Sequence, residues 1–250
     1  MTEIHYHSIE HTSEPKEYIK AYWQDRAESF CSLRSKELHS YLADLWSLEI
    51  SQHLPANRQL KILDIGCGAG FFSILLAKQG HNSWGIDLAP AMIEQAKALA
   101  KQEGYSHRCH FKTMDAERLD FEDETFDMVI ARNVTWNLPN PETAYREWLR
   151  VLKPGGQLLN YDAEYARQHH QQPPTHNAHA NVKPELLDRC HKIYHMLDIS
   201  ASPRPKWDLC YLSKLRPTTI SVDKSVGQRL YVREDDFYIA APMFCVKVKK

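Results

Sequence analysis

The chain has 250 residues, 43% of them hydrophobic, and a formal net charge of −1 at pH 7. That length can bury a full core, and the balanced charge, with a pI near 6.9, excludes broad electrostatic attraction to nucleic acid or anionic lipid. No segment approaches the ~20 apolar residues of a membrane span, the first residues lack the apolar stretch of a signal peptide, and six dispersed cysteines without a Cys-x-x-Cys pair read as reduced thiols of a cytosolic protein.

Residues 1–57 read as a polar, histidine-rich arm followed by a helical lid. From Tyr18 to His53 the residues Tyr22, Trp23, Phe30, Leu38, Leu42, Leu45, Trp46 and Ile50 recur at helical spacing, until Pro55 and Asn57 break the pattern. Across 58–162 strands and helices alternate. Strands are predicted at Ile62–Ile65, Ser83–Ile86, Cys109–Thr113, Phe126–Ala131 and Gln157–Tyr161. Helices are predicted at Phe72–Gln79, Pro90–Glu103 and Pro141–Leu152, stopped by Gly80, Gly104 and Lys153-Pro154-Gly155-Gly156. This alternation predicts a parallel sheet with helices on both faces. Residues 163–206, with Pro173, Pro174, Pro184, Pro203 and Pro205 around a helix from Glu185 to Leu197, interrupt it as an insertion over the sheet edge. Residues 207–250 then complete the sheet with a helix from Trp207 to Leu215 and strands at Thr219–Val222 and Phe244–Val248, the second entering antiparallel.

Three of the nine glycines fall in Gly66-Cys67-Gly68-Ala69-Gly70, between the first strand and its helix. Backbone without Cβ atoms at a helix N-terminus can approach a nucleotide-like ligand closely. A dinucleotide fingerprint would need glycine where Phe71 stands, and no Gly-Lys-Ser/Thr follows for a phosphate loop. Instead, carboxylates recur at successive strand ends. Asp64 lies inside the first strand. Asp87 ends the second, where it can accept both hydroxyls of a ribose, cap the next helix, or do both. Asp115 follows the third, placed to accept from an exocyclic amine. Acids in place of lysine or arginine suit a ligand without phosphate.

These residues, within Leu63-Asp64-Ile65-Gly66-Cys67-Gly68-Ala69-Gly70, Gly85-Ile86-Asp87-Leu88-Ala89-Pro90-Ala91-Met92, Asp115-Ala116, Phe126-Asp127-Met128-Val129 and Arg150-Val151-Leu152-Lys153-Pro154-Gly155-Gly156, carry a resemblance over residues 61–161. The chain resembles a class I S-adenosylmethionine-dependent methyltransferase, in the small-molecule group that includes the ubiquinone/menaquinone-type enzymes. The resemblance implies a Rossmann-like, seven-stranded, mostly parallel α/β sheet, and S-adenosylmethionine as cofactor with S-adenosylhomocysteine as product. It implies that Gly66, Cys67, Gly68 and Gly70 border the methionine and ribose, and that Asp87 binds the ribose hydroxyls. Leu88 and Met92 would flank the adenine and Asp115 with Ala116 meet its amino edge. Asp64 would orient the methionine ammonium, and Arg132 would offer backbone to the same moiety. Tyr22-Trp23-Gln24-Asp25-Arg26-Ala27-Glu28-Ser29-Phe30 is similar to a segment that closes over the cofactor, with Tyr22 and Trp23 near the sulfonium.

Methyl transfer from a sulfonium is an in-line displacement, so alignment and water exclusion are its main demands. A base is needed only where the acceptor must lose a proton. Acceptor-pocket residues are expected after the fourth strand (Asn133, Trp136, Asn137) and the fifth (Tyr161), with the insertion and the segment holding Trp207 as roof. Asp162 or His169 would accept the acceptor proton, although Asp162 could equally be a structural cap. His169, His170, His176 and His179 fit no zinc spacing, so no metal is expected. The Asn/Asp-Pro-Pro-Tyr/Phe signature of amino-group methylation is absent, as is a basic surface for RNA, which favours a small-molecule acceptor and no nucleic-acid or membrane partner. The alternatives are a protein or RNA methyltransferase and a non-catalytic scaffold that binds the cofactor.

Overall fold

The computed structural model describes residues 13–165, 177–178 and 182–250. Seven strands form one sheet: β1 (Lys61–Ile65), β2 (Asn82–Asp87), β3 (Cys109–Thr113), β4 (Phe126–Arg132), β5 (Leu152–Asp162), β6 (Thr219–Asp223) and β7 (Phe244–Lys249). Their order is β3-β2-β1-β4-β5-β7-β6. The first five strands are parallel, β7 enters antiparallel to β5, and β6 pairs antiparallel to β7. The helices are α1 (Ser13–Leu38), α2 (Tyr41–Ser51), α3 (Phe71–Lys78), α4 (Pro90–Gln102), α5 (Pro141–Val151), α6 (Pro184–Met196), α7 (Lys206–Lys214) and the short α8 (Val226–Leu230). The α/β architecture and the antiparallel last strand agree with the reading from sequence.

Three differences have local causes. The N-terminal helix breaks at Ser40, whose hydroxyl accepts the Leu42 amide at 3.2 Å and starts a second helix. β5 begins five residues early, because Leu152 already pairs with Phe126 and the register then shifts before Gln157 meets Met128. α8 escapes sequence reading because it is five residues long and contains Gly227, a poor helix former.

Period-two alternation assigns the strand side chains to faces. Ile62, Ile130, Leu159 and Tyr161 meet α2, α3 and α8, with Trp46 and Phe72 at the centre. Leu63, Val129, Ala131 and Leu158 meet α5 and α7 through Tyr145, Trp148 and Leu212. The lid helix α1 packs on α4 and α6. Ile19 and Tyr22 join Trp136, Ile193 and Ile199 in a small cluster above the strand ends. Among the described residues no helix is long and apolar enough to cross a membrane.

Candidate functional site

The sheet order reverses at β1, which lies between β2 and β4, and the crevice of an open α/β sheet opens at the carboxyl ends there. A cavity occupies that place, with about 1460 Å³ of empty space including its open mouth. Its floor is the β1–α3 loop, and its roof is α1 with Tyr165 and α6.

Gly66 and Gly68 shape the floor. Both hold left-handed backbone, φ +58° and +52°, and a Cβ on Gly68 would lie 2.8 Å from the Phe30 ring of the lid. Gly68→Ala is therefore expected to strain the loop by ~1–2 kcal/mol and push Phe30 away. Calorimetry should show cofactor affinity falling by about tenfold or more, with the melting temperature lowered by only a few degrees.

Asp64 is buried, and its Oδ2 accepts the Ser73 amide at 3.0 Å and the Ser73 hydroxyl at 2.7 Å. Burial pushes its pKa up to about 7, against the two Ser73 hydrogen bonds. Asp87 accepts Gly68 N at 3.0 Å and Ala89 N at 2.9 Å, tying the glycine loop to the start of α4. Burial raises it to about 6. Neither acid makes an ion pair among the described residues, and both line the cavity. Buried carboxylates without a cation are an electrostatic cost that an ammonium or hydroxyl ligand would relieve. On this ground the site fits the ammonium and ribose of S-adenosylmethionine.

A pH dependence follows. A ligand ammonium favours ionised Asp64, so protonation competes with binding. Asp64 alone should weaken cofactor affinity about eightfold between pH 7.5 and pH 6, given a free-state pKa of about 7. Calorimetry in buffers of different ionisation enthalpy should register close to one proton released per cofactor bound at pH 6.

Leu88, Met92 and Ala116 line the cavity, and Ile86 and Met114 complete an apolar slot with them. Asp115 lies at the same end, but its Oδ2 is engaged by Lys16 Nζ at 2.7 Å, and Glu117 takes the same ammonium at 2.6 Å. Lys16 thus closes the lid over this end, a contact between residues 99 apart in sequence that no local pattern signals. Tyr22 and Trp23 line the roof with Phe30, and Trp23 Nε1 reaches Asn137 Oδ1 at 3.4 Å. Cys67 also lines the floor; burial holds its thiol well above the ordinary range, so it is an inert neutral group. Asn133 takes a left-handed φ of +59°, and its Oδ1 accepts the Tyr165 hydroxyl at 2.7 Å. Trp136 stands beside it, its indole N–H donating to Asn133 O at 2.9 Å.

Several expected site residues stand elsewhere. Gly70 does not line the cavity; its left-handed backbone, φ +84°, starts α3. Tyr161 is fully buried on the opposite side of its strand, 5.1 Å from the Trp46 ring, because alternation along β5 sends it into the core with Leu159. Trp207 stacks on Tyr211, with ring centroids 5.7 Å apart, on the α5 side of the sheet.

Asp162 is likewise outside the cavity. Its Oδ2 accepts Trp136 N at 3.0 Å, its Oδ1 accepts Ala163 N at 2.9 Å, and Arg204 Nη2 lies at 3.3 Å. Of its two readings, base and cap, this geometry is that of a cap, which fixes the 3-10 turn Thr135–Asn137 beside the cavity. The segment around Arg204 serves the same buried network and does not roof the acceptor pocket. His169, the other expected proton acceptor, lies outside the described residues, as do His170, His176 and His179. Among the described residues no cluster of metal ligands occurs.

Arg132 contributes its side chain as well as backbone. The guanidinium stacks over Trp46 at 4.6 Å and Phe71 at 5.1 Å, and donates to Glu37 Oε1 at 2.8 Å and Tyr231 OH at 3.3 Å. Arg26, Arg34, Tyr165, Cys190 and Tyr194 also line the cavity and were missed from sequence. A signal existed for the first two. Tyr22, Arg26, Phe30, Arg34 and Glu37 follow helical spacing on one face of α1, and that face is inward although it is charged.

A glycine turn and carboxylates at successive strand ends, on a parallel sheet whose order reverses beside them, define the class I S-adenosylmethionine-dependent methyltransferases. Residues 63–160 of this chain match the family described as "Methyltransferase domain". The chain is 35% identical over 127 residues to sterol 4-C-methyltransferase strm-1 of Caenorhabditis elegans, a stretch covering 51% of this chain and 36% of that protein. It is 34% identical over 106 residues to norajmaline N-methyltransferase of Rauvolfia serpentina, covering 42% and 36%. The chain thus spans about a third of the length of these relatives. In structure it is similar to a putative S-adenosylmethionine-dependent methyltransferase of Methanococcus maripaludis, with a TM-score of 0.61 at 17% identity over 100% of this chain and 97% of that one.

Proposed function

We propose that this protein transfers the methyl group of S-adenosylmethionine to a small-molecule acceptor. The carrying observation is one cavity lined by buried Asp64 and half-buried Asp87, neither in an ion pair among the described residues, together with aromatic rings and guanidinium groups. Sterol and alkaloid methyltransferases among its relatives support an acceptor of small-molecule size.

In this reading Asp64 holds the methionine ammonium, Asp87 the ribose hydroxyls, and Leu88, Met92 and Ala116 the adenine. The cofactor supplies an electrophilic methyl on a sulfonium. The chain's own work is alignment and drying: Trp23, Phe30 and Trp136 exclude water around the transfer line, and Asn133, set by Tyr165, offers a polar contact to the acceptor. Burial holds the Tyr165 hydroxyl well above its ordinary range, which suits it to donate a hydrogen bond and not to act as a base. We divide the chain into lid (1–57), cofactor core (58–162), acceptor cover (163–206) and sheet completion (207–250). A cytosolic location fits its six free cysteines.

The test is label transfer from methyl-labelled S-adenosylmethionine into a metabolite extract, with cofactor binding measured in parallel. Label in a small molecule supports the reading. Label in protein or RNA overturns it in favour of a macromolecular acceptor, and binding without any transfer leaves the scaffold reading.

A further inference from the structure

The turn after β4 lines the cavity with two asparagines whose side chains are set in the same way. Asn133 Oδ1 accepts the Tyr165 hydroxyl at 2.7 Å, and Asn137 Oδ1 accepts the Trp23 indole N–H at 3.4 Å. Both oxygens are thus spent on aromatic groups of the roof. The two Nδ2 amides find no acceptor among the described residues. Unlike Arg34 Nε and Arg132 Nε, they are not sealed inside the protein either. Each asparagine therefore presents only N–H to the cavity.

The partners fix these orientations. An indole N–H can only donate, so turning the Asn137 amide over would set N–H against N–H. Turning Asn133 over would leave the proton of the Tyr165 hydroxyl without an acceptor, and burial makes that hydroxyl keep its proton. The backbone is held as well. Asn133 N donates to Tyr161 O at 2.8 Å, and Asn133 O accepts Trp136 Nε1 at 2.9 Å. Asn137 N donates to Val134 O at 3.0 Å.

Resting on the small-molecule reading above, we propose that Asn133 and Asn137 select a methyl acceptor that carries a carbonyl group, their amide N–H groups donating to its oxygen. A carbonyl oxygen has lone pairs for two donors and brings no proton that needs an acceptor of its own. An amine or an apolar group in its place would displace water from both amides and leave them unpaired, which a site built of donors rejects. The cofactor brings oxygens of its own in the methionine carboxylate, but a charged oxygen is matched best by a guanidinium. Arg26 lines the same cavity with no ion pair among the described residues. Held through its carbonyl, the acceptor keeps its nucleophilic atom free for the methyl, so the contact sets orientation and selectivity.

The experiment is label transfer from methyl-labelled S-adenosylmethionine into a metabolite extract, with the labelled product identified by mass spectrometry and NMR. The product should contain a carbonyl group. Asn133→Asp and Asn137→Asp keep the shape and the oxygen that Tyr165 or Trp23 bonds, and replace each N–H pair by an acceptor. At pH 8 each should raise the extract concentration needed for half-maximal labelling by about tenfold or more. Calorimetry should show S-adenosylmethionine affinity falling by no more than about twofold, and a melting scan checks that both variants fold. A protonated carboxyl donates from the same place, so the loss relative to wild type, at saturating cofactor, should shrink from pH 8 to pH 5. A merely structural role would give no such recovery. A labelled product without a carbonyl overturns the proposal and leaves the methyltransferase reading in place. Labelling unchanged in both variants, or a loss that does not shrink with pH, does the same. A fall in cofactor affinity equal to the loss in labelling also overturns it, by assigning the amides to the cofactor. No labelled small molecule, with cofactor bound, overturns both readings together.

Discussion

Asp87→Ala should weaken S-adenosylmethionine binding by two to three orders of magnitude. The carboxylate ties Gly68 N to Ala89 N and lines the cavity with lone pairs to spare for two hydroxyls. Hydrogen bonds to a charged acceptor contribute about 1.5–3 kcal/mol each, so two of them amount to roughly 3–4 kcal/mol even when partly replaced by water. Freeing the two loop amides loosens the floor as well. Calorimetry with adenosine and 2′,3′-dideoxyadenosine isolates the ribose contribution. The wild type should discriminate between them, and the variant should bind both equally weakly. A variant that kept the discrimination would place the ribose elsewhere.

The second large effect concerns stability. Behind β5, Arg204 pairs with Asp208 at 2.5 Å and with Asp162 at 3.3 Å, and Tyr145 donates to Asp208 at 2.5 Å. Asn160 donates to the Tyr145 hydroxyl and to Thr135 Oγ1, each at 2.8 Å. All of these residues are under 9% exposed. Removing Arg204, the one cation of this network among the described residues, leaves buried carboxylates uncompensated, which costs about 3–5 kcal/mol. Arg204→Met should therefore lower the melting temperature by roughly 6–20 °C at pH 7.5 for a chain of this size. The sign of the pH response provides a second check. Burial already lifts Asp162 to about 6 with Arg204 opposing, so without that arginine the folded state binds protons still more readily than the unfolded chain. Stability then rises as pH falls, and the gap to wild type should narrow at pH 5.5. A gap that widened there would mean that the carboxylates are solvated in the variant.

This network also explains why Asp162 is easy to misread. At the end of a strand pointing toward the crevice, an aspartate has the sequence position of a proton acceptor. Its partners decide otherwise, and one of them, Arg204, comes from a segment more than forty residues away and is itself held by Asp208. Tyr161 shows the same limit on a smaller scale. Its position at the end of β5 was legible, but its face depends on which helices cover each side of the sheet, and Trp46 and Phe72 claim it for the core.

The donor end was legible because it is local. Strand, glycine turn and helix follow one another within about a dozen residues, and the acids close successive strands of a parallel sheet, so backbone geometry alone brings Asp64, Gly66, Gly68 and Asp87 together. The sheet itself was readable from alternating apolar runs and the glycine and proline stops between them. The rest of the cavity wall is assembled from α1, the end of β4, Tyr165 and α6, which meet only when α1 folds over the strand ends. There the sequence offers charged residues on a helix, a pattern that ordinarily means a solvated face. Tertiary packing turned that face inward, gave Arg34 and Arg132 a single shared carboxylate, and left buried donors without acceptors. Local chemistry made the glycine loop and its acids legible from sequence, and long-range packing alone decided which other side chains line the cavity with them.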